Sequence, residues 1–191
     1  MIKAAPEGLI AAILLSFLST AGLFYVNLGG AFLSAFVDGL GLSREVAGYV
    51  TAANKYGAAF GALLAVFSAG RLPWRKVAYV VLVLIISIDL ISMTVNDGNA
   101  LIAIRFLHGT VGGFLVGTGF SVIARTRTPD RVFGMLLVVQ YTCGSIGIMI
   151  VPRLVQTMGH GVVFGALIIF SFVTLLMVPF IADYHVEKTD Q

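Results

Sequence analysis

The chain has 191 residues, of which 59% are hydrophobic and only 11% charged, with a formal net charge of +3 and a mean hydropathy of +1.01. A water-soluble domain carries about 25% charged residues, so lipid must solvate most of this surface. The positive excess sits in short loops rather than in a stripe or patch, which reads as membrane topology and excludes a nucleic-acid-binding face.

At about 20 apolar residues per span, this length holds six transmembrane helices as a single all-α domain over residues 1–191. They are expected near 8–38, 45–69, 76–95, 99–124, 130–152 and 161–182. The first run, from Gly8, is too long for a signal-peptide core and no small-residue cleavage site closes it, so it is expected to be retained. Ser43 is placed to cap the second helix, with Glu45 on the positive end of its dipole. Asn96-Asp97-Gly98-Asn99 is a tight turn in which Asn99 can cap the fourth helix. Thr128-Pro129-Asp130 supplies a cap, a first-turn proline and a first-turn acid for the fifth. Pro152 and Pro179 are expected near helix ends, where they disturb few backbone bonds.

Lys3, Arg71, Arg75, Lys76, Arg125, Arg127, Arg131 and Lys188 fall on one side of a six-span arrangement, against Arg44 and Arg153 on the other. By the positive-inside rule the first side is cytoplasmic. An integral protein of the inner (plasma) membrane with both termini in the cytoplasm is the expectation.

Three ionisable acids or bases lie well inside the apolar runs: Lys55, Asp89 and Arg105. A charge at that depth needs a partner, a bundle interior or a water-filled cavity. Asp89 and Arg105 are each eight residues from Asp97, so a hairpin sets both about 12 Å along their helices from the turn. They form either an interhelical ion pair or a proton-coupling acid beside an arginine. Asn27 and Lys55 are each 14 residues from Gly41 and should lie at similar depth nearer the midplane. Ser16, Thr20, Asn27, Ser34 and Asp38 stay within about a 40° sector at 100° per residue, so one face of the first helix is polar. That face either lines a cavity or bonds a neighbouring helix. Gln140 on the fifth helix either touches substrate or bonds across helices. His108, one turn after Arg105, is either a hydrogen-bonded structural histidine or a proton relay. Gly57 and Gly61 on the second helix, and Gly109, Gly113 and Gly117 on the fourth, have the spacing that lets helix backbones approach closely.

GxSxG, HExxH, phosphate-loop and metal-spaced Cys/His patterns are all missing, so no enzyme activity, metal or cofactor is expected. The lone Cys143 lies in an apolar run and reads as a buried small hydrophobe.

The stretch Arg105-Phe106-Leu107-His108-Gly109-Thr110-Val111-Gly112-Gly113 resembles the fourth-helix motif of the major facilitator superfamily. Gly39-Leu40-Gly41-Leu42-Ser43 with Gly48 resembles that family's start of helix 2. Gly61 followed by Gly70-Arg71-Leu72-Pro73-Trp74-Arg75-Lys76 is similar to its cytoplasmic loop motif, with Gly70 and Pro73 where an acid and a glycine usually stand. The resemblance implies one six-helix half of that fold, built of 3+3 inverted repeats, with helices 1, 2, 4 and 5 facing a cavity and helices 3 and 6 outside. It implies a substrate or ion pathway through Asn27, Lys55, Arg105, His108 and Gln140. Gly61, Arg71, Arg75 and Lys76 correspond to the loop motif.

The expected activity is transport of a small solute by alternating access, after pairing with a second six-helix half. That half is another copy in a homodimer or a separate chain. Lys55 and Arg105 point to an organic anion, with a proton as the coupling ion. The alternatives are a non-transport scaffold or assembly subunit of a larger membrane complex, and a fragment of a longer transporter.

Overall fold

In a computed structural model, which describes residues 3–68 and 72–184, the apolar runs become a helical bundle, its long helices alternating in direction along the chain, with no strand among the described residues. They are α1 (Leu9–Asn27), α2 (Gly29–Ser34), α3 (Arg44–Ser68), α4 (Trp74–Ser92), α5 (Gly98–Ile123), α6 (Pro129–Met158) and α7 (Gly161–Met177). A π-helical turn, Ala35–Gly39, follows α2, and a 3-10 turn, Val178–Phe180, follows α7. Five helices are long and apolar enough to cross a membrane: α1, α3, α5, α6 and α7 with its 3-10 turn. The 19 residues of α4 include Arg75, Lys76 and Asp89, which set it apart from those five.

The expected first helix, 8–38, is broken. Its regular part ends at Asn27, Leu28 takes φ −90° and ψ 9°, and the chain resumes as α2. Gly29 and Gly30 explain the break, because a glycine pair is where helices commonly kink, and it seats Leu28 fully in the core. The fifth helix, expected to end at 152, runs on to Met158. Pro152 is therefore an interior residue of α6, not a terminal one.

The ends carry their own chemistry. Ser43 Oγ accepts from the Val46 amide at 3.2 Å, whereas α5 is capped by Asp97, whose carboxylate accepts from the Ala100 amide at 2.7 Å. Asn99, the expected cap, lies inside the first turn instead. Because the helix starts at Gly98, Asp97 holds the N-cap position, from which its carboxylate reaches the third helical amide. Thr128 holds the N-cap position of α6 without a side-chain bond, and Pro129 opens the helix.

The helix α5 sits between α1, α3 and α4, while α7 packs on α4, α1 and α6. One apolar cluster, including Leu18, Leu82, Leu115 and Ile123, fills the end that holds Trp74. A second, rich in rings (Tyr25, Phe32, Phe36 and Phe164), fills the other end. The first end gathers Lys3, Arg75, Lys76, Arg125, Arg127 and Arg131, and the second Arg44 and Arg153. Arg71 and Lys188 lie outside the described residues.

Candidate functional site

Antiparallel α4 and α5 bring Asp89 and Arg105 together at the core. Arg105 donates to the Asp89 carboxylate at 2.8 Å, and both side chains are fully buried. The same guanidinium bonds the Ser92 hydroxyl and lies 5.1 Å from the Phe164 ring centre and 5.9 Å from that of Tyr25. Its Nε is left without a partner among the described residues. His108 Nε2 lies 3.3 Å from Asp89. Its Nδ1 is 2.8 Å from the Asn54 amide nitrogen, which also donates to the Arg105 carbonyl oxygen at 3.1 Å. Asp89, Arg105, His108 and Asn54 thus form one closed polar cluster joining α3, α4 and α5. Charge is balanced within it, because the carboxylate offsets the guanidinium, and either charge buried without the other would be costly. Arg105 and His108, expected along a pathway, are sealed inside the bundle.

A second polar contact joins α1 and α6. Asn27 Nδ2 donates to the Gln140 carbonyl oxygen at 3.2 Å, and Gln140 Nε2 donates back to Asn27 Oδ1 at 3.3 Å. Both residues are half-buried. Gly144 leaves room for Asn27, whose Cβ lies 3.0 Å from where a methyl on that glycine would stand. The polar stripe of α1 is accordingly divided rather than continuous. Ser16 and Thr20 are buried, Ser16 bonding the Ala12 carbonyl, while Ser34 and Asp38 are exposed beyond the break.

Lys55 behaves differently from all of these. It is exposed, halfway along α3, and has no hydrogen bond or ion pair among the described residues. Gly57 and Gly61 fix the face of α3 that meets α5, and Lys55 points away from it. Thr51, one turn earlier on the Lys55 side, lies next to the Tyr25 hydroxyl of α1. Lys55 therefore lies on the α1 side of the bundle, along a face of small residues that includes Gly48, Ala52, Ala59 and Ala62. Its level is fixed too. Neighbouring Asn54 touches His108, and the His108 ring lies 5.9 Å from that of Tyr25, two residues before Asn27. At 1.5 Å per residue, Lys55 and Asn27 stand within about one helical turn of the same height. Near that height Leu23 and Val26 of α1 and Gly30 of α2 are not buried.

The glycines explain how α5 can be so central. A methyl on Gly109 or Gly113 would fall on the Asn54 or Ala58 carbonyl oxygen of α3. One on Gly57 or Gly61 would fall on the Phe106 or Thr110 carbonyl oxygen of α5. Two GxxxG patterns interlock backbone to backbone, and Gly117 continues the row against Ala65. A different face of α5 repeats the device towards α1, where Gly112 meets Gly22 and Gly119 meets Ser19. That second row was hidden in the sequence because Gly22 has no glycine at a spacing of four.

The basic end is tied together. Arg75 donates to Asp183 at 2.9 Å, to the Val178 carbonyl at 2.9 Å and to the Ile181 carbonyl. Lys3 also bonds Asp183, and Tyr184 donates to the Pro6 carbonyl at 2.7 Å. Of the loop-motif residues, Gly61 is thus a packing residue, Arg75 a clasp, and Lys76 is exposed. Arg71 lies outside the described residues.

A cavity of about 790 Å³ opens between α1, α6 and α7, lined by Phe17, Phe24, Ile150, Leu154 and Phe170 among others. Its walls are almost wholly apolar, with Cys143 among them, so it offers no group to orient a polar solute. No protein-family model and no curated protein matches the chain, and its function rests on its own geometry.

Proposed function

We propose that the chain is one six-helix wall of a secondary transporter, laid out like one half of the major facilitator fold. It moves a small solute by alternating access against a second six-helix unit. The observation that carries this reading is the exposed ammonium of Lys55. From Lys55 the ends of α3 lie about 16 and 20 Å away along the axis, beyond the reach of a lysine side chain. An ammonium facing lipid there costs about 2.5–3.5 kcal/mol on insertion scales. The face that bears it therefore fits a water-filled cavity closed by another protein wall, not the bilayer.

Counting α4 as the sixth span fits the chemistry of its charges. Arg75 and Lys76 stand in its first turn, and Asp89 is neutralised by Arg105. Six spans put both termini at the basic end, which the positive-inside rule assigns to the cytoplasm of an inner or plasma membrane. The proposal is of a carrier, with no catalysed reaction.

The experiment is the mass of the particle in a native membrane extract, with cross-linking from a cysteine placed at Ala59. A cross-linked second copy or partner chain of similar helical content supports the reading. A strict monomer with nothing attached overturns it. A stable larger complex whose cellular role survives Lys55→Ala replaces it with a scaffold.

A further inference from the structure

A cation at mid-membrane needs a countercharge, and no acid among the described residues stands free at the level of Lys55. Glu7, Asp130 and Asp183 lie at the basic end of the bundle, and Asp38, Glu45 and Asp97 at the opposite end. Asp89 is fully buried and held by Arg105. Glu187 and Asp190 follow Asp183 and lie outside the described residues. A second copy would bring the same set at the same positions. With another copy as the second wall, the balancing charge comes from something bound.

We propose that Lys55 is the charge that holds a small organic carboxylate in the open face, an inference that rests on the transporter-wall reading above. Three features of the surroundings fit that class. The amides of Asn27 and Gln140 stand near the same height and use one N–H each on one another, so each keeps a second N–H for an anion oxygen or hydroxyl. Val26, Ala52 and Ala59, which are exposed or half-exposed, offer apolar surface for a carbon skeleton, which a hydrated inorganic anion would not use. Arg105, the other basic group in the interior, is already neutralised and adds no net attraction, so the selectivity rests on one lysine. An ammonium is also suited to this role because it is a compact point charge on a flexible stem that can follow its ligand as the face opens and closes.

The test uses the full chain in lipid nanodiscs, with thermal unfolding followed against acetate, lactate and succinate. Sodium chloride at matched ionic strength and choline chloride serve as controls. At least one carboxylate should raise the melting temperature of the wild-type protein and of Lys55→Arg. In Lys55→Gln its half-saturating concentration should rise by at least about tenfold, the loss expected for a hydrogen bond to a charged group. Lys76→Gln, at an exposed site on the basic end, should respond like the wild type. No shift with any of the three carboxylates, an equal shift with chloride, or an unchanged shift in Lys55→Gln each overturns the anion site. Particle mass on the same samples keeps the two readings apart. An assembled particle indifferent to carboxylates sinks only the anion site, whereas an unpartnered monomer sinks the transporter wall.

Discussion

The carboxylate of Asp89 and the guanidinium of Arg105 meet at 2.8 Å in the centre of the bundle, each with no exposed surface. Removing one partner of such a pair leaves a buried charge uncompensated, which costs about 3–5 kcal/mol. We predict that loss for Asp89→Asn and for Arg105→Met separately, by denaturant unfolding in detergent. The double variant Asp89→Leu with Arg105→Met should recover most of it, because no charge then remains. Losses that simply add would show that the two side chains act independently.

This pairing is legible in the sequence, because a tight turn at Asp97 equidistant from both residues leaves little freedom in a helical hairpin. The mutual height of Asn27 and Lys55 is legible for the same reason. What the spacing could not give is rotation. Arg105 and His108 share an apolar helix with glycines on several sides, so no polar face announces which way they point, and only the packing of α4 turns them inward. Asn54 shows the complementary gap. It is a neutral residue beside a lysine, and attention to ionisable groups passes over the amide that completes the cluster. The break after Asn27 is visible in Gly29-Gly30 only once one knows that the helix has reached the end of its packing against α5.

The glycine row makes a sharp prediction. Gly113→Val sets a side chain on the Ala58 backbone oxygen, and Gly57→Val does the same at Phe106. Neither neighbour can rotate away, so each should lose about 3 kcal/mol or more, at the upper end of overpacking costs. Gly134→Ala, which meets nothing within 4 Å, should instead gain about 0.5–1 kcal/mol from helix propensity. Equal effects at the two kinds of site would contradict the close approach of α3 and α5.

The Asn27–Gln140 contact is a smaller term. Interhelical side-chain bonds in membrane proteins average about 0.6 kcal/mol, so Asn27→Ala should leave the fold intact in a thermal melt. A collapse of the melting temperature would mean that Asn27 holds the break in α1 rather than the contact with α6.

Acid should loosen the basic end. The Lys3 ammonium, with Arg75 behind it, holds the Asp183 carboxyl below its ordinary 3.8. A depressed carboxyl stabilises the fold at pH above 3.8 and loses that contribution as the pH falls through its lower folded value. Melting temperatures recorded downward from pH 5 should fall more steeply for the wild type than for Asp183→Asn. Parallel curves would show that the Lys3–Asp183–Arg75 contact contributes nothing in solution.

The interlocking of α3 with α5 has one more consequence. Its small residues recur every four positions on both helices, Gly57, Gly61 and Ala65 against Gly109, Gly113 and Gly117. A slide of one turn, about 5.4 Å, would therefore bring much the same surfaces back into contact. Backbone fit alone leaves the register degenerate, like two combs that mesh at more than one offset. The offset is chosen by Asn54, whose amide finds the His108 ring and the Arg105 carbonyl in one alignment only. In Asn54→Ala, disulfide trapping between cysteines at positions 58 and 117, one turn beyond the native Ala58–Gly113 contact, should register the shifted alignment. A single polar side chain thus decides where two long helices stop.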